Sequence, residues 1–322
     1  MNKTVHKNIS IDILKCWAAL LITNSHMDML YTYFAGLATG GALGDALFFF
    51  CSGFTLFLGR LGSFDNWYKR RINRIYPSVI GWAVISTFFF GYQSDVKSMI
   101  LTGGGWFVSS IMVYYVLFYF IRKYFSDKII WMFFTAGLFI LIWYIICFEN
   151  KEINHLYKGD WKMVFSFIFM LEGAVIGMKR VKPQCNLFRD AMAFFLCIIL
   201  FYGIQYAGMK NPAISYAQII TLIPLMGAVY YLYKLANTDK WEKIYNNKWG
   251  KSIITIILGL CLEIYLCQFS LFTDCMNFLF PFNLLLIFLL IVMVAYCVRC
   301  VGRWVVQTFR EEDYDWHSIV KL

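Results

Sequence analysis

The sequence predicts an all-α integral membrane protein, a polytopic bundle of about ten transmembrane helices with both termini in the cytoplasm. Composition is the first reason: of 322 residues, 60% are hydrophobic and only 15% are charged, and the mean hydropathy is +0.62. Soluble domains carry about a quarter charged residues. The second reason is that apolar segments follow one another along almost the whole chain. We therefore expect a single transmembrane domain over residues 1–322 and no separate soluble domain.

Ten segments are placed as membrane spans, because each crossing requires about 20 mainly apolar residues. In chain order they cover residues 11–31, 42–58, 77–92, 106–121, 129–148, 163–178, 191–206, 213–233, 253–272 and 282–301. No small-residue cleavage site follows the first segment, so we expect it to remain as a helix rather than to be removed as a signal peptide. Pro224 lies in the middle of the eighth segment and predicts a kink there.

The basic residues predict the orientation. With the N-terminus inside, the termini and cytoplasmic connections hold 22 lysines and arginines, whereas the outer connections hold five. Such an imbalance at alternate connections is typical of membrane proteins, whose cytoplasmic loops are enriched in Lys and Arg. The net charge of +10 is therefore explained by topology, and nucleic acid is not expected as a partner.

The ten cysteines predict neither a disulfide framework nor a metal site. They are scattered through apolar stretches, where cysteine serves as a small hydrophobic residue. Cys297 and Cys300 form one CxxC pair with no second pair to complete a zinc site.

Two polar residues in the first predicted span are candidate functional groups. Charged side chains in hydrocarbon cost a few kcal/mol each, so each is a site hypothesis. Of the four histidines, only His26 lies within a predicted span, and Lys15 precedes it by eleven residues. On a continuous helix this separation is about 1100° of rotation, so the two would share a face about 16 Å apart. The alternative is that Lys15 extends to the inner headgroups and His26 hydrogen-bonds a neighbouring helix.

Five stretches, in order along the chain, resemble the membrane-bound acyltransferase 3 family, which modifies cell-envelope carbohydrates. They are IDILKCWAALLITNSH (11–26, with Asp12, Lys15 and His26 in the family's Asp–basic–His pattern), FFFCSGF (48–54), RRINRIYP (70–77), GWFVSSIMVYYVLF (105–118) and LEIYLCQF (262–269). Two positions depart from the family pattern. Lys15 stands where an arginine is usual and lacks its planar donor fork, and Gln268 stands where a histidine is common.

The resemblance implies a membrane O-acyltransferase of the bacterial cytoplasmic membrane. The acyl group, most often acetyl, would come from cytoplasmic acyl-CoA, with no metal. The acceptor would be a hydroxyl of an envelope polysaccharide or glycolipid at the outer face. Two alternatives remain open: an exporter or flippase of a polysaccharide or lipid-linked glycan, and a non-catalytic family member that acts in glycan assembly.

The resemblance also implies roles for particular residues. His26 would be the general base, with Lys15 facing the cytoplasmic donor, and Arg71 and Arg74 would bind the CoA phosphates. Five basic residues on an inner loop also suffice to determine topology, so these arginines need not bind a ligand. Ser52 could line the conduit, donate to the thioester carbonyl or carry the acyl group, or Ser52 and Gly53 could form a packing notch.

Supporting residues are assigned more broadly. His26 requires an orienting partner, and the candidates are three carboxylates at or inside other spans, Asp45, Glu172 and Glu263, with no basis for choosing among them. Trp106 could wall the acceptor site or belong to the interfacial aromatic belt. The supporting set is Asp12, Asp45, Trp106, Glu172, Glu263 and Gln268.

The alternating loop charges make a testable prediction about topology. Single cysteines placed in residues 60–76 and in the C-terminal tail should be protected from a membrane-impermeant maleimide in intact cells. Cysteines placed in residues 149–162 should react. External labelling within residues 60–76 would overturn the ten-span topology.

Overall fold

The computed structural model describes residues 8–91, 105–148, 155–157 and 161–322, and all regular secondary structure in those ranges is helical. Helices suit a membrane protein because they satisfy every interior backbone hydrogen bond within one segment. The α-helices are α1 (Ile9–Asn24), α2 (Gly41–Leu58), α3 (Phe64–Phe90), α4 (Trp106–Phe125), α5 (Ile129–Cys147), α6 (Trp161–Phe165), α7 (Phe167–Met178), α8 (Leu187–Lys210), α9 (Leu222–Ala236), α10 (Asp239–Asn246), α11 (Lys248–Cys267), α12 (Phe282–Thr308) and α13 (Trp316–Val320).

The predicted fold class, a polytopic all-α membrane protein, is confirmed. The helices other than the short α6, α10 and α13 coincide in order with the ten predicted spans. Among the described residues, seven helical stretches are long and apolar enough to cross a membrane, and one of them, Trp106–Cys147, contains both α4 and α5. The helix α1 is not among these seven stretches and has 16 residues. The helix α3 is not among them either, and its first half is strongly basic.

Two predicted span boundaries are wrong. The first helix ends at Asn24, seven residues before the predicted end at residue 31, and 3-10 turns follow at Asp28–Leu30 and Ala35–Leu37. The helix α3 begins at Phe64, so most of the predicted loop 60–76 is helical. The predicted end of the span 77–92 lies outside the described residues. Most of the predicted outer connection 149–162 lies outside them as well.

Pro224, where a kink is predicted, lies close to a change of helix type. The segment Pro212–Thr221 is a 3-10 helix, and α9 begins only at Leu222. Pro224 therefore lies in the first turn of α9, where a proline is tolerated because first-turn amides have no partner within the helix. The proline in a helix interior is instead Pro77 of α3, whose missing N–H leaves the carbonyl of Asn73 without its usual helical donor.

The residues group into two compact units that alternate along the chain. The first unit comprises Met1–Ala18, Ala42–Arg60 and Phe120–Ile254, and the second comprises Ala19–Gly41, Leu61–Tyr119 and Thr255–Leu322. The helix α1 thus begins in the first unit and ends in the second. A single domain over residues 1–322 remains a prediction.

Glycines allow the helices of the first unit to pack with their backbones in close contact. A Cβ built at Gly53 of α2 would overlap the carbonyl oxygen of Met170, and one built at Gly173 of α7 would overlap that of Phe50. Small residues at membrane helix interfaces permit this approach and the dispersion contacts it brings. The glycine of the Ser52–Gly53 pair is therefore required by packing.

A buried ion pair joins α8 and α9 within the first unit. The Lys234 ammonium lies 2.7 Å from a carboxylate oxygen of Asp190, with 8% and 0% of the side chains exposed. The backbone amide of Asn186 donates to the same carboxylate oxygen at 2.9 Å. The Arg189 guanidinium lies 3.3 Å from the other carboxylate oxygen. Three donors around one carboxylate meet the requirement that a buried charge be both paired and hydrogen-bonded.

The second unit is organised around the contact between α3 and α12. A Cβ at Gly81 would overlap the carbonyl oxygen of Val298, and one at Gly302 would overlap that of Pro77. The Arg299 guanidinium of α12 donates to the carbonyl of Gly259 in α11. Toward the C-terminus, Arg303 donates to carbonyls of the α13 segment, among them that of Ser318 at 2.9 Å.

The glycine contacts generate a prediction about stability. Gly173→Ala should lower the melting temperature in detergent, because overpacking a close backbone contact typically costs about 1–3 kcal/mol. The matched control is Gly203→Ala in α8, since no atom lies within 4 Å of a Cβ at that position. Thermal unfolding of both purified variants is the measurement. Equal melting temperatures for the two variants would show that the α2–α7 contact does not require glycine.

Candidate functional site

His26 lies in a turn just beyond the end of α1. Its backbone amide donates to the carbonyl of Thr23 at 3.1 Å, and its side chain is half-buried. The imidazole ring contacts the ring of Phe269, with centroids 4.6 Å apart and planes at 57°. The placement of His26 inside the helix is therefore wrong. The helix that contains Lys15 extends only to Asn24, about 14 Å farther along its axis. Helical periodicity therefore does not fix the face on which His26 lies.

Asparagine side chains from a distant segment hold the turn that follows His26. The Asn277 amide donates to the carbonyl of Met29 at 2.8 Å, and the Asn283 amide donates to that of Leu30 at 2.9 Å. The fully buried Asn283 also donates to the Asn277 side chain at 3.1 Å. These bonds satisfy carbonyls of a 3-10 turn that no helix continues.

A further asparagine anchors the other side of the same loop. The Asn24 amide donates to the carbonyls of Leu37 and Thr39, each at 2.9 Å, while its oxygen accepts from the Tyr31 hydroxyl. Sequence reasoning missed all three asparagines. The available signal was an amide side chain at the edge of an apolar segment, where an unpaired polar group is costly.

Gln268 is buried without a hydrogen-bond partner for its side chain among the described residues. None of the side chain is exposed, and both its amide nitrogen and its amide oxygen are unpaired there. It directly precedes Phe269, which contacts His26. A buried unpaired polar group in a native structure calls for an explanation in terms of a ligand, an ion or water.

Glu263 is the one candidate orienting carboxylate in the same unit as His26. The hydroxyl of Ser78 in α3 donates to its carboxylate at 2.6 Å, and both residues are buried. This bond joins α11 to α3.

The two candidate donor-binding arginines lie on continuous helix. The helix α3 covers both Arg71 and Arg74, so they are one turn apart on neighbouring faces. The Arg71 guanidinium is half-buried and lies 3.9 Å from the centroid of the Trp67 ring, a cation–π contact. Arg74 is exposed. At the start of α3, a hydrogen bond from Ser63 holds the pKa of Asp65 below its ordinary value, so this exposed carboxylate is ionised at the helix N-terminus.

Trp106 lies at the first position of α4 and is half-buried. Its ring is 6.1 Å from that of Phe107 at 88°, and Phe107 in turn lies 5.4 Å from Tyr265 of α11. The residue before it lies close to α11, because a Cβ at Gly105 would lie 2.9 Å from the Tyr265 hydroxyl.

The remaining candidates belong to the first unit. Lys15 and Ser52 are half-buried. Asp12 is buried and accepts a long hydrogen bond of 3.4 Å from Tyr245 of α10. Lys162 lies within electrostatic range of Asp45. Glu172 is buried, and one of its carboxylate oxygens has no hydrogen-bond partner in the described part of the chain.

Within the second unit, an imidazole, an aromatic ring and several amides therefore come together after the end of α1. A neutral imidazole can accept a proton from a hydroxyl group near neutral pH. The arginines of α3 supply planar donors suited to phosphate.

Comparison with known proteins agrees with the resemblance drawn from the five sequence stretches. No curated protein and no solved structure matches the chain. The acyltransferase 3 family model, described as an acyltransferase domain, matches residues 8–301, which is most of the 322 residues. With its helical, multi-pass membrane fold, this chain belongs to the acyltransferase 3 family of membrane acyltransferases.

Proposed function

We propose that this protein is an O-acyltransferase that moves an acyl group, acetyl in the simplest case, from cytoplasmic acyl-CoA to a hydroxyl of an envelope glycan or glycolipid. The observation that carries the proposal is the placement of His26. It lies just before a turn that Asn277 and Asn283 hold through the carbonyls of Met29 and Leu30. With the orientation predicted from loop charges, this turn faces the outer side of a bacterial cytoplasmic membrane.

His26 acts as the general base in this proposal. Its imidazole takes the proton of the acceptor hydroxyl while the hydroxyl oxygen attacks the thioester carbonyl carbon. The carbon–sulfur bond then breaks, and the CoA sulfur leaves with the proton that the imidazolium returns. An ester on the acceptor and free CoA thiol are the products. A transient acyl group on Ser52 is the alternative route to the same products.

The donor is held from the cytoplasmic side. Arg71 and Arg74 on α3 supply charge-assisted hydrogen bonds to the phosphates of CoA. Arg74 is exposed and available, whereas Arg71 is partly covered by its contact with Trp67, so we assign the larger share of phosphate binding to Arg74. Lys15 adds a point cation on α1.

The first functional prediction concerns His26. His26→Ala should lower acyl transfer in proteoliposomes about 10² to 10⁴-fold, which is the usual cost of losing general-base assistance, while acyl-CoA still binds. His317→Ala is the matched control and should retain wild-type transfer, since His317 is an exposed residue of α13. Wild-type turnover in His26→Ala at matched protein levels would contradict the assignment. An exporter or an assembly partner would then be the better account.

The second functional prediction concerns the donor site. Replacing both Arg71 and Arg74 with Gln should weaken acetyl-CoA binding at least about tenfold, because hydrogen bonds to charged groups contribute about 1.5–3 kcal/mol each. Lys15→Ala should also reduce donor use, whereas Lys15→Arg should be tolerated.

The control for this prediction removes the same charge elsewhere. Arg310→Gln combined with Lys321→Gln takes two positive charges from exposed positions of the C-terminal tail. Calorimetric titration with acetyl-CoA in detergent compares the two double variants. Equal donor affinity in both would assign Arg71 and Arg74 to topology alone.

A further inference from the structure

Exposed aromatic rings lie on the loop that carries His26 and on the segment that follows α11. We call Tyr33, Phe34, Phe269 and Phe278 the outer aromatic surface; their exposed fractions are 95%, 56%, 55% and 82%. All four belong to the second unit. Large apolar side chains exposed together usually mark an interaction site.

Ring contacts fix the positions of two of these residues, Phe269 and Phe34. Phe269 contacts the imidazole directly, with ring centroids 4.6 Å apart. Phe34 stacks on Phe280 at 6.1 Å and 25°, and Phe280 lies three residues before Asn283, which bonds the carbonyl of Leu30. The two segments that carry the outer aromatic surface are therefore joined to each other beside the proposed base.

The charge of these segments is equally informative. Residues 27–41 and 268–283 contain no lysine and no arginine, and their charged residues are Asp28 and Asp274, both exposed. Hydroxyl and amide side chains, among them Thr32, Thr273 and Asn277, lie between the rings in sequence. The two carboxylates, with no cation beside them in these segments, repel phosphate and uronate groups, because like charges placed together across an interface are unfavourable.

This composition distinguishes two possible occupants, a sugar and the lipid headgroups. Membrane interfacial belts are enriched in tryptophan and tyrosine, and lysine and arginine commonly anchor helix ends there. The outer aromatic surface contains three phenylalanines and no basic anchor. Ligand sites instead combine an apolar wall with a few polar groups that fix orientation, and the flat C–H face of a sugar ring fits an aromatic wall with carboxylates and amides for its hydroxyls.

We propose that the outer aromatic surface is the acceptor subsite and that it takes an uncharged, hydroxyl-rich sugar residue. This inference rests on the proposed function, whose acceptor is a glycan, and it adds the charge class of that acceptor. The sugar ring lies against Phe34 and Phe269, Asp28 and Asp274 accept hydrogen bonds from its hydroxyls, and one hydroxyl faces His26.

The test measures glycan binding directly. Protein in nanodiscs is titrated on an array of neutral oligosaccharides, built from hexoses and N-acetylhexosamines, and of acidic ones that contain uronic acid or phosphate. The wild type should bind neutral members and leave the acidic ones unbound. Tyr33→Ala combined with Phe34→Ala should weaken neutral binding at least about tenfold, as expected when two aromatic contacts are lost.

A matched pair of rings serves as the control. Phe88→Ala combined with Phe89→Ala removes two adjacent aromatic side chains, 81% and 80% exposed, from α3 in the same unit, and it should bind as the wild type does. Asp28→Lys combined with Asp274→Lys should shift binding toward the acidic oligosaccharides. This second variant keeps the test decisive if the tyrosine–phenylalanine variant folds poorly.

Three outcomes would overturn the inference: no binding to neutral members, equal binding to acidic members, or unchanged binding in the Tyr33 and Phe34 variant. An altered retention of that variant in the membrane, with glycan binding intact, would assign the rings to the lipid interface. Failure here is distinguishable from failure of the proposed function. His26→Ala would still abolish acyl transfer if only the subsite were wrong, and neutral glycans would still bind if only the chemistry were wrong.

Discussion

The structure depends on one constraint, which is that hydrocarbon offers no hydrogen-bond partner to a polar group. Backbone amides and carbonyls therefore pair within helices, and buried side chains must find partners within the protein. The carboxylate of Asp190 is paired with the Lys234 ammonium, the Arg189 guanidinium and the backbone amide of Asn186. Glycine contacts follow from the same constraint: association of helices in lipid lacks a hydrophobic driving force, and close packing supplies the attraction instead.

Two features of the candidate site bear on this rule. The helix α1 ends at Asn24, and the carbonyls that follow are satisfied by asparagine side chains rather than by another helical turn. Gln268, one residue from the ring that contacts His26, has a fully buried amide with no partner among the described residues. Packing alone gives no reason for a polar group in such a position, whereas a ligand hydroxyl or water would pair with it.

The sequence predicts helices far better than it predicts where they end. Among the described residues, apolar composition located the ten helices that match predicted spans, because hydrophobicity over about 20 residues is a strong signal. It missed the end of α1 because Met27, Leu30 and Tyr31 continue the apolar pattern, and bonds from Asn277 and Asn283, about 250 residues away, stabilise the turn. It missed the start of α3 because hydropathy cannot distinguish a basic helix from a basic loop. The structural role of the asparagines was not predicted, because charge and hydropathy do not distinguish an uncharged amide that bonds the backbone from any other polar residue.

The exchange of a histidine for Gln268 has a physical consequence at this site. Glutamine retains a donor and an acceptor but cannot change its charge, so it can hold a hydroxyl group or a water and cannot remove its proton. Within residues 268–283 and the loop that follows α1, the titratable imidazole is that of His26. This imidazole lies on a turn whose backbone is bonded to Thr23 of α1 on one side, while Asn277 and Asn283 hold the carbonyls of Met29 and Leu30 on the other. The end of α1 and the two asparagines thus share the positioning that a continuous helix would have supplied.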